Sequence, residues 1–294
     1  MARHADITGR YLYLTVDGTE YRTYYEEAGS GPTILLQHTA GADGREWRHL
    51  LEDPDLTSRY HLVAHDLPFH GKSVPPTSKP WWTEEYALHQ DFFLEFVVRF
   101  CDELGYGTDS IYCGCSMGGH LAPDLALHHP GRFRAVIAVE GGLATHDDEP
   151  FNKYMWHPRC SDEVKQALMF TMMSPRSPEP FRREVGWIYA QGAPPVHKGD
   201  LVYYLGEHDL TETAHLIDTS KTAVYVISGD HDWSATPEHC RALADAIPGA
   251  SYTSMSDMGH FPMSEDPVRF KEYLLGLLDD IEAKAQTQGV SAGA

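Results

Sequence analysis

The sequence lacks long apolar runs and is poor in basic side chains. No apolar segment approaches the roughly 18 residues that a membrane-spanning helix needs, which argues against a membrane span. Lys and Arg number 23 against 43 Asp and Glu, giving a formal net charge of −20. A field of that sign repels phosphate backbones and anionic lipids, so neither nucleic acid nor a membrane is expected as a partner.

Cysteine is also scarce, with five residues in a chain of 294. They are Cys101, Cys113, Cys115, Cys160 and Cys240. An odd number argues against a disulfide framework, and residues 1–6 lack the apolar core of a signal peptide. We therefore expect free, largely buried thiols and a cytoplasmic location.

Histidine clusters give no recognisable metal motif. The candidate groups are His128 with His129, and His231 with His239 and Cys240. Their spacings match no standard zinc site, so no metal is expected.

Short apolar runs recur along the chain, as is typical of buried parallel strands. They are TILLQ (33–37), HLVAHD (61–66), SIYCG (110–114), RAVIAVE (134–140), AVYVIS (223–228) and SYTSMS (251–256). Two more strand-like runs, 11–16 and 20–29, flank Asp17-Gly18, which predicts a hairpin. Helical patterns occupy 84–105, 118–130 and 237–249. This alternation predicts an α/β fold with helices flanking a mostly parallel, eight-stranded sheet.

One stretch breaks the alternation, because residues 143–221 contain no clear buried strand and are rich in Met, Trp and Tyr. The predicted domains are a core of 1–142 and 222–285, a helical cap insertion of 143–221 and a disordered tail of 286–294. The aromatic side chains of the insertion either form its own core or line a pocket.

A serine stands between two glycines where a predicted strand meets a predicted helix. The segment GCSMGG places Ser116 between Gly114 and Gly118. A tight turn there leaves no room for flanking side chains and projects the hydroxyl off the end of the sheet. The N–H of Met117, at the helix start, would then point toward a developing anion.

A serine hydroxyl is a weak nucleophile that needs a base, and the base needs an orienting acid. Later predicted strands run into GDHD (229–232) and DMGHFP (257–262). These loops supply Asp232 and His260 in the chain order Ser, Asp, His. Asp230 and Glu140 are the alternative acids.

On these motifs the chain resembles the α/β-hydrolase superfamily. The motifs are GCSMGG, DLPFHGKS (66–73), GDHD and GHFPMSEDP (259–267). The resemblance implies the α/β-hydrolase fold and acyl transfer to water, with Ser116 as nucleophile, His260 as base and Asp232 as acid. It implies no cofactor.

The second donor to the oxyanion is less clear from the sequence. Relatives carry His-Gly-x after the third strand, whereas this chain has Thr39 in the glycine place, after His38. The N–H of Ala40 is the first choice for this donor, beside that of Met117, and the N–H of Thr39 is the second. Three histidines in the same loops, His38, His70 and His120, are expected to pack or to bond to backbone.

The resemblance implies a small-molecule substrate and leaves a homo-oligomer open. Hydrolysis of a carboxylic ester of a small, largely apolar substrate is the first expectation. The alternatives are cleavage of a carbon–carbon bond or enol-lactone in an aromatic ring-cleavage product, amide, thioester or perhydrolase chemistry, and non-catalytic ligand binding. The candidate substrate-binding residues are Trp81 with its neighbour Trp82, Trp156, Trp187 and Arg45, the last for a substrate carboxylate.

Overall fold

The apolar runs form the strands of one sheet. The computed structural model describes residues 2–145, 161–193 and 196–292. The strands are β1 (Thr8–Val16), β2 (Thr19–Gly29), β3 (Thr33–Gln37), β4 (His61–His65), β5 (Ile111–Cys115), β6 (Ala135–Val139), β7 (Ala223–Gly229) and β8 (Ser251–Met255). Strands β3 to β8 agree with the predicted runs to within one residue at either end.

The sheet confirms the mostly parallel, eight-stranded arrangement, with the strand order β1-β2-β4-β3-β5-β6-β7-β8. β2 pairs antiparallel with β1 and with β4, and the other neighbouring strands pair in parallel. Asp17 and Gly18 join β1 to β2 with φ values of 46° and 68°, as a tight two-residue hairpin turn requires. Because β3 to β8 run in one direction, the loops after them meet at one edge of the sheet.

Helices join the strands and cover both faces of the sheet. In the described residues the α-helices are α1 (Arg48–Leu51), α2 (Pro54–Thr57), α3 (Gln90–Glu103), α4 (Met117–His128), α5 (Asp162–Met172), α6 (Glu179–Tyr189), α7 (Val196–Val202), α8 (Pro237–Ala246), α9 (Pro262–Glu265) and α10 (Pro267–Ala292). Single turns of 3₁₀ helix span Gly44–Trp47, Trp81–Thr83 and Ala214–Leu216, and a π-helical turn spans Tyr203–Glu207.

Helix α3 begins later than the sequence predicted. The helical pattern starts near Glu84, but the segment before Gln90 is irregular. There the N–H of Leu88 donates to the carbonyl oxygen of Gly199, at 3.1 Å. This hydrogen bond to a distant segment overrides the local helical pattern.

Alternating side chains along the strands build a core on each face. On β3, Leu35 packs with Phe96 of α3, whereas Ile34 and Leu36 face the opposite side and pack with Phe270 of α10. All five side chains are fully buried. Full burial of each contributes roughly 1.5–3 kcal/mol relative to exposure. The sheet is therefore fixed from both sides, which makes its carboxyl edge a rigid base for the loops.

Helices α5 to α7 lie between β6 and β7, where the sequence predicted the insertion. A third buried cluster joins α5 and α6 to the loop at Phe261. It comprises Ala42, Met169, Met172, Met173, Val185, Ile188, Tyr189 and Phe261. Tyr189 therefore takes the first of the two roles predicted for the aromatic side chains, as packing core, together with the Met side chains. The boundaries 143–221 of a separate cap stay a prediction.

The last helix, α10, runs into the segment that we predicted as a tail. It includes positions 286–292, for which we predicted a disordered tail. Its preceding residues, 282–286, are Glu, Ala, Lys, Ala and Gln, all of which favour helix propagation. Within the described parts of the chain, no helix is both long enough and apolar enough to cross a membrane.

Candidate active site

Ser116 occupies the turn between β5 and α4. It lies directly after Cys115 and before Met117, with φ 56° and ψ −113°, a conformation that is strained for a residue other than glycine. A Cβ atom on Gly114 would lie 2.3 Å from the carbonyl oxygen of Gly118, so only glycine fits there. The turn holds Ser116 at the carboxyl edge of the sheet.

His260 and Asp232 are hydrogen-bonded to each other at this same edge. Nδ1 of His260 lies 2.5 Å from Oδ2 of Asp232, and both side chains are buried. The backbone N–H of His260 donates to Met172, and that of Ser234 donates to Asp232. Burial opposes ionisation of Asp232, but His260 and the N–H groups of Ser234 and Ala235 hold its pKa below the usual range. The imidazole is thus oriented by a carboxylate.

Ser116 and His260 line one cavity of about 360 Å³, which we call the Ser116 cavity. Its further walls include His120, Leu143, Thr145, Tyr204, Thr211 and Ala242. No hydrogen bond joins the Ser116 hydroxyl to His260 in the part of the chain described. Catalytic contacts of this kind often shorten only when a substrate binds.

Neither of the two alternative acids is hydrogen-bonded to His260 in the described part of the chain. Asp230 is exposed, and its carboxylate is 3.9 Å from His231. Glu140 is fully buried, and its Oε1 accepts the N–H of Gly229 at 2.7 Å. Burial and the neighbouring charge of Asp232 raise the pKa of Glu140 well above its usual value. Among the three candidates, Asp232 alone is hydrogen-bonded to His260.

Hydrogen bonds in the loop after β3 distinguish the two candidates for the second oxyanion donor. The N–H of Thr39 already donates to Oε2 of Glu46, at 2.9 Å. No hydrogen bond joins the N–H of Ala40, or that of Met117 at the start of α4, to another described residue. The geometry therefore favours Ala40 over Thr39.

The three loop histidines bond to backbone, as we expected. Nδ1 of His38, His70 and His120 faces the carbonyl oxygens of Thr39, Pro68 and Ser116, at 2.7, 2.9 and 2.8 Å. Burial lowers the pKa of His38 to about 4 and that of His120 to about 3. His120 is therefore a neutral wall of the Ser116 cavity.

Arg45 is committed to a neighbouring carboxylate. Its Nε and Nη2 lie 2.7 and 2.6 Å from the two carboxylate oxygens of Asp43, and its Nη1 lies 2.7 Å from Gln191. Arg45 does not line the Ser116 cavity. The paired guanidinium is therefore not placed to meet a substrate carboxylate there.

Trp81, Trp82 and Trp187 also lie away from the Ser116 cavity. Trp187 is 55% exposed, because the inner face of α6 is formed by Val185 and Ile188. Trp81 and Trp82 line a different cavity, of about 800 Å³. Trp156 lies outside the described residues. The structure thus does not bring Trp81 or Trp187 together with Ser116.

Several walls of the Ser116 cavity were not identified from the sequence. Leu143 and Thr145 follow β6, so their position after a parallel strand was an available signal. Tyr204 and Thr211 come from the irregular end of the insertion, where no periodic pattern marks them. In the described ranges, no group of three or more His, Cys, Asp or Glu side chains is arranged to hold a metal ion.

Comparison with known proteins agrees with the fold described above. Residues 32–166 match the family model described as alpha/beta hydrolase fold. The chain is 35% identical over 138 residues to the dihydrolipoyllysine-residue acetyltransferase component of the acetoin cleaving system from Cupriavidus necator, covering 47% of this chain and 34% of that protein. It is 28% identical over 138 residues to 2-hydroxy-6-oxononadienedioate/2-hydroxy-6-oxononatrienedioate hydrolase from Burkholderia vietnamiensis, covering 46% and 45%.

These matches span only about a third to a half of those relatives' own length. The structural likeness extends further. A thermophilic esterase from Thermogutta terrifontis superimposes with a TM-score of 0.77 at 20% identity, covering 92% of this chain and 99% of that one. The family model over residues 32–166, the sheet order and this likeness agree with the resemblance in the motifs, and they show that the chain has the α/β-hydrolase fold.

Proposed function

We propose that this chain is a serine hydrolase that cleaves a carboxylic ester of a small, largely apolar substrate through an acyl-enzyme. One observation carries the proposal. His260, hydrogen-bonded to Asp232, lines one cavity together with Ser116, which lies on a strained turn after β5. Nucleophile, base and orienting acid are the three groups that acyl transfer requires.

The first half of the reaction forms the acyl-enzyme. Asp232 holds a proton on Nδ1 of His260, which leaves Nε2 free to take the proton of the Ser116 hydroxyl. The serine oxygen then bonds to the carbonyl carbon, and the N–H groups of Met117 and Ala40 stabilise the resulting oxyanion. Collapse of this intermediate breaks the ester bond, and the departing alkoxide takes the proton from Nε2.

The second half repeats these steps with water. Nε2 of His260 removes a proton from water, and the hydroxide attacks the acyl carbon. The oxyanion forms again against Met117 and Ala40. When the bond to Ser116 breaks, the serine oxygen recovers its proton from His260, and the carboxylic acid is released.

The cavity favours a neutral ester. Its volume of about 360 Å³ is near the lower end of the range for small-molecule sites. Leu143 and Ala242 supply apolar surface, and Thr145 and Thr211 supply neutral polar groups. The described lining contains no Lys or Arg. A substrate carboxylate buried there would meet no Lys or Arg side chain to balance its charge, which is costly.

Carbon–carbon bond or enol-lactone hydrolysis is the second candidate. The 28% identity to the Burkholderia vietnamiensis hydrolase supports it. The pairing of Arg45 with Asp43 speaks against an acidic substrate, because it removes the cation we considered for that role.

A substrate panel tests the proposal. The protein is assayed with p-nitrophenyl esters of increasing acyl length, with lactones and with dienone acids. We expect turnover of short esters that Ser116→Ala abolishes. Ser110→Ala, at the opposite end of β5, should keep the activity. Turnover of the dienone acids alone would favour the second candidate, and no turnover of any substrate would favour ligand binding without catalysis.

A further inference from the structure

A buried carboxylate joins the insertion to the loop after β3. Asp200, on α7, is fully buried. Its Oδ2 accepts the N–H of Gly41 at 2.7 Å and lies 2.7 Å from Nε2 of His70. Its Oδ1 accepts the hydroxyl of Tyr86 at 2.8 Å. Three separate segments of the core therefore converge on one side chain of the insertion.

His70 provides the counter-charge. Its two ring nitrogens face acceptors, Oδ2 of Asp200 and the carbonyl oxygen of Pro68, so both nitrogens carry protons. The His70 and Asp200 side chains are at most 1% exposed. A buried ion pair of this kind is weak as a source of stability, because desolvation offsets most of the attraction.

The ion pair contacts the loop that contains Ala40, the proposed oxyanion donor. On one side of Ala40, the N–H of Thr39 is bound by Glu46, and on the other the N–H of Gly41 is bound by Asp200. Gly41 has φ 76°, so the chain turns sharply at this point. Two buried carboxyl groups thus hold the peptides on either side of Ala40.

We infer that Asp200 is a positioning residue, which fixes Gly41 and thereby aims the N–H of Ala40 at the oxyanion. His70 keeps the carboxylate charged inside the protein. This inference rests on the proposed function and extends it, since a residue of the insertion would then control the rate of acyl transfer. Loss of the anchor leaves substrate binding intact and weakens the interaction that exists only when the oxyanion forms.

The test is Asp200→Asn, assayed with a short p-nitrophenyl ester. We expect kcat to fall by roughly 10- to 100-fold, within the cost of losing or misplacing one oxyanion donor, while KM changes little. A trifluoromethyl ketone, which forms a tetrahedral oxyanion on serine, should bind more weakly by a similar factor. A non-hydrolysable ether analogue, which forms no oxyanion, should bind as before.

Glu207→Gln is the matched control. Glu207 also accepts a backbone N–H, from Gln90 at 2.7 Å, and contacts an imidazole, that of His89 at 2.6 Å. It does so away from the loop that contains Ala40. This variant should keep the kcat and the ketone affinity of the original protein.

The inference is overturned if folded Asp200→Asn keeps its kcat, or if the ketone and the ether lose affinity equally. If Asp200→Asn does not fold, Tyr86→Phe takes its place, because it removes only the hydrogen bond to Oδ1. A smaller loss of kcat with unchanged ether binding is then expected, and no loss overturns the inference.

The outcome is separable from that of the proposed function. If the original protein hydrolyses no ester, the proposed function fails, and hydrogen exchange of peptides covering 38–42 tests the anchor alone. Faster exchange in Asp200→Asn than in Glu207→Gln supports the anchor. Equal exchange in the two variants rejects it.

Discussion

Oδ2 of Asp232 lies 2.5 Å from Nδ1 of His260, and their side chains are at most 5% exposed. A carboxylate at this nitrogen fixes the tautomer in which Nε2 can accept a proton. Asp230, two positions earlier in GDHD, points to solvent beside His231. The sequence motif alone left both aspartates open, and the hydrogen bond favours Asp232.

Replacing Asp232 should therefore be far more damaging than replacing Asp230. In Asp232→Asn the amide favours the wrong tautomer of His260, and we expect kcat on a short ester to fall by about 10⁴-fold. Asp230→Asn should cost less than about threefold, because an exposed charge contributes little at the site. Steady-state kinetics of the two purified variants gives the ranking.

Glu140→Gln completes this comparison. Burial and the neighbouring charge of Asp232 raise the pKa of Glu140 and so favour its neutral carboxyl form, and glutamine is similar in shape and also neutral. Activity should be largely retained. A loss as large as that in Asp232→Asn would move the acid to Glu140, and a reversed ranking of the aspartates would move it to Asp230.

Ser116 should be the residue that reacts with a fluorophosphonate probe. We expect one label per chain, found by mass spectrometry on the peptide that contains Ser116, and none in Ser116→Ala. Ser110→Ala, which removes a buried hydroxyl bonded to Gly107, should still be labelled. Labelling that persists in Ser116→Ala would rule out this nucleophile.

The strands and the turn at Ser116 could be predicted because their signals are local. The conformation of apolar runs such as TILLQ, and of the turn between the glycines around Ser116, is determined by a few neighbouring residues. The order of motifs along the chain then placed Asp232 and His260 at the same edge, because parallel strands end together.

The substrate-binding residues could not be predicted in the same way. Residue type predicts Trp187, and a position just past the loop after β3 predicts Arg45, but helix phase turns Trp187 outward and Asp43 pairs with Arg45. The walls that do reach the cavity, such as Tyr204, lie on an irregular segment. Their positions depend on packing between distant parts of the chain, which no local pattern encodes.

Tyr204 should control which acyl chains are accepted. It lines the Ser116 cavity, with its ring centroid 5.3 Å from that of His120. Tyr204→Ala enlarges the cavity, so the ratio of kcat/KM for long over short p-nitrophenyl esters should rise by roughly 10-fold or more. The rate of labelling by a small fluorophosphonate should change little.

Trp187→Ala is the control, since Trp187 is exposed and lies outside that cavity. It should leave the ratio unchanged. If Trp187→Ala shifted the ratio and Tyr204→Ala did not, the selectivity surface would lie on α6 instead.

Glu46 should make the stability of the protein depend on pH. Burial raises its pKa to about 8 from a usual value of 4.5. The folded chain therefore holds this proton more tightly than the unfolded chain. The resulting stabilisation is complete below pH 4.5 and is lost as the pH rises from about 4.5 to about 8.

Glu46→Gln removes this titration while keeping an acceptor for Thr39. Between about pH 4.5 and pH 8, the original protein should lose unfolding free energy relative to Glu46→Gln, by at most about 1.4 kcal/mol per pH unit. Above about pH 8 the difference in unfolding free energy between the two proteins should be constant. Urea denaturation at a series of pH values measures it. Glu52→Gln, on the surface, serves as control, and a pH-independent difference for Glu46→Gln would contradict the prediction.

The buried thiols on the central strand have a practical consequence. Cys113 and Cys115 are free and fully buried, and burial raises the pKa of each above its usual value. The thiolate is the nucleophile that attacks thiol reagents, so these buried side chains should react only after the sheet opens around β5. In a Cys160→Ser background, the rate at which Cys113 and Cys115 are modified would report how often the sheet opens there. Cys113 and Cys115 lie on the strand that precedes Ser116, so their modification also reports how often the strand that positions the proposed nucleophile opens.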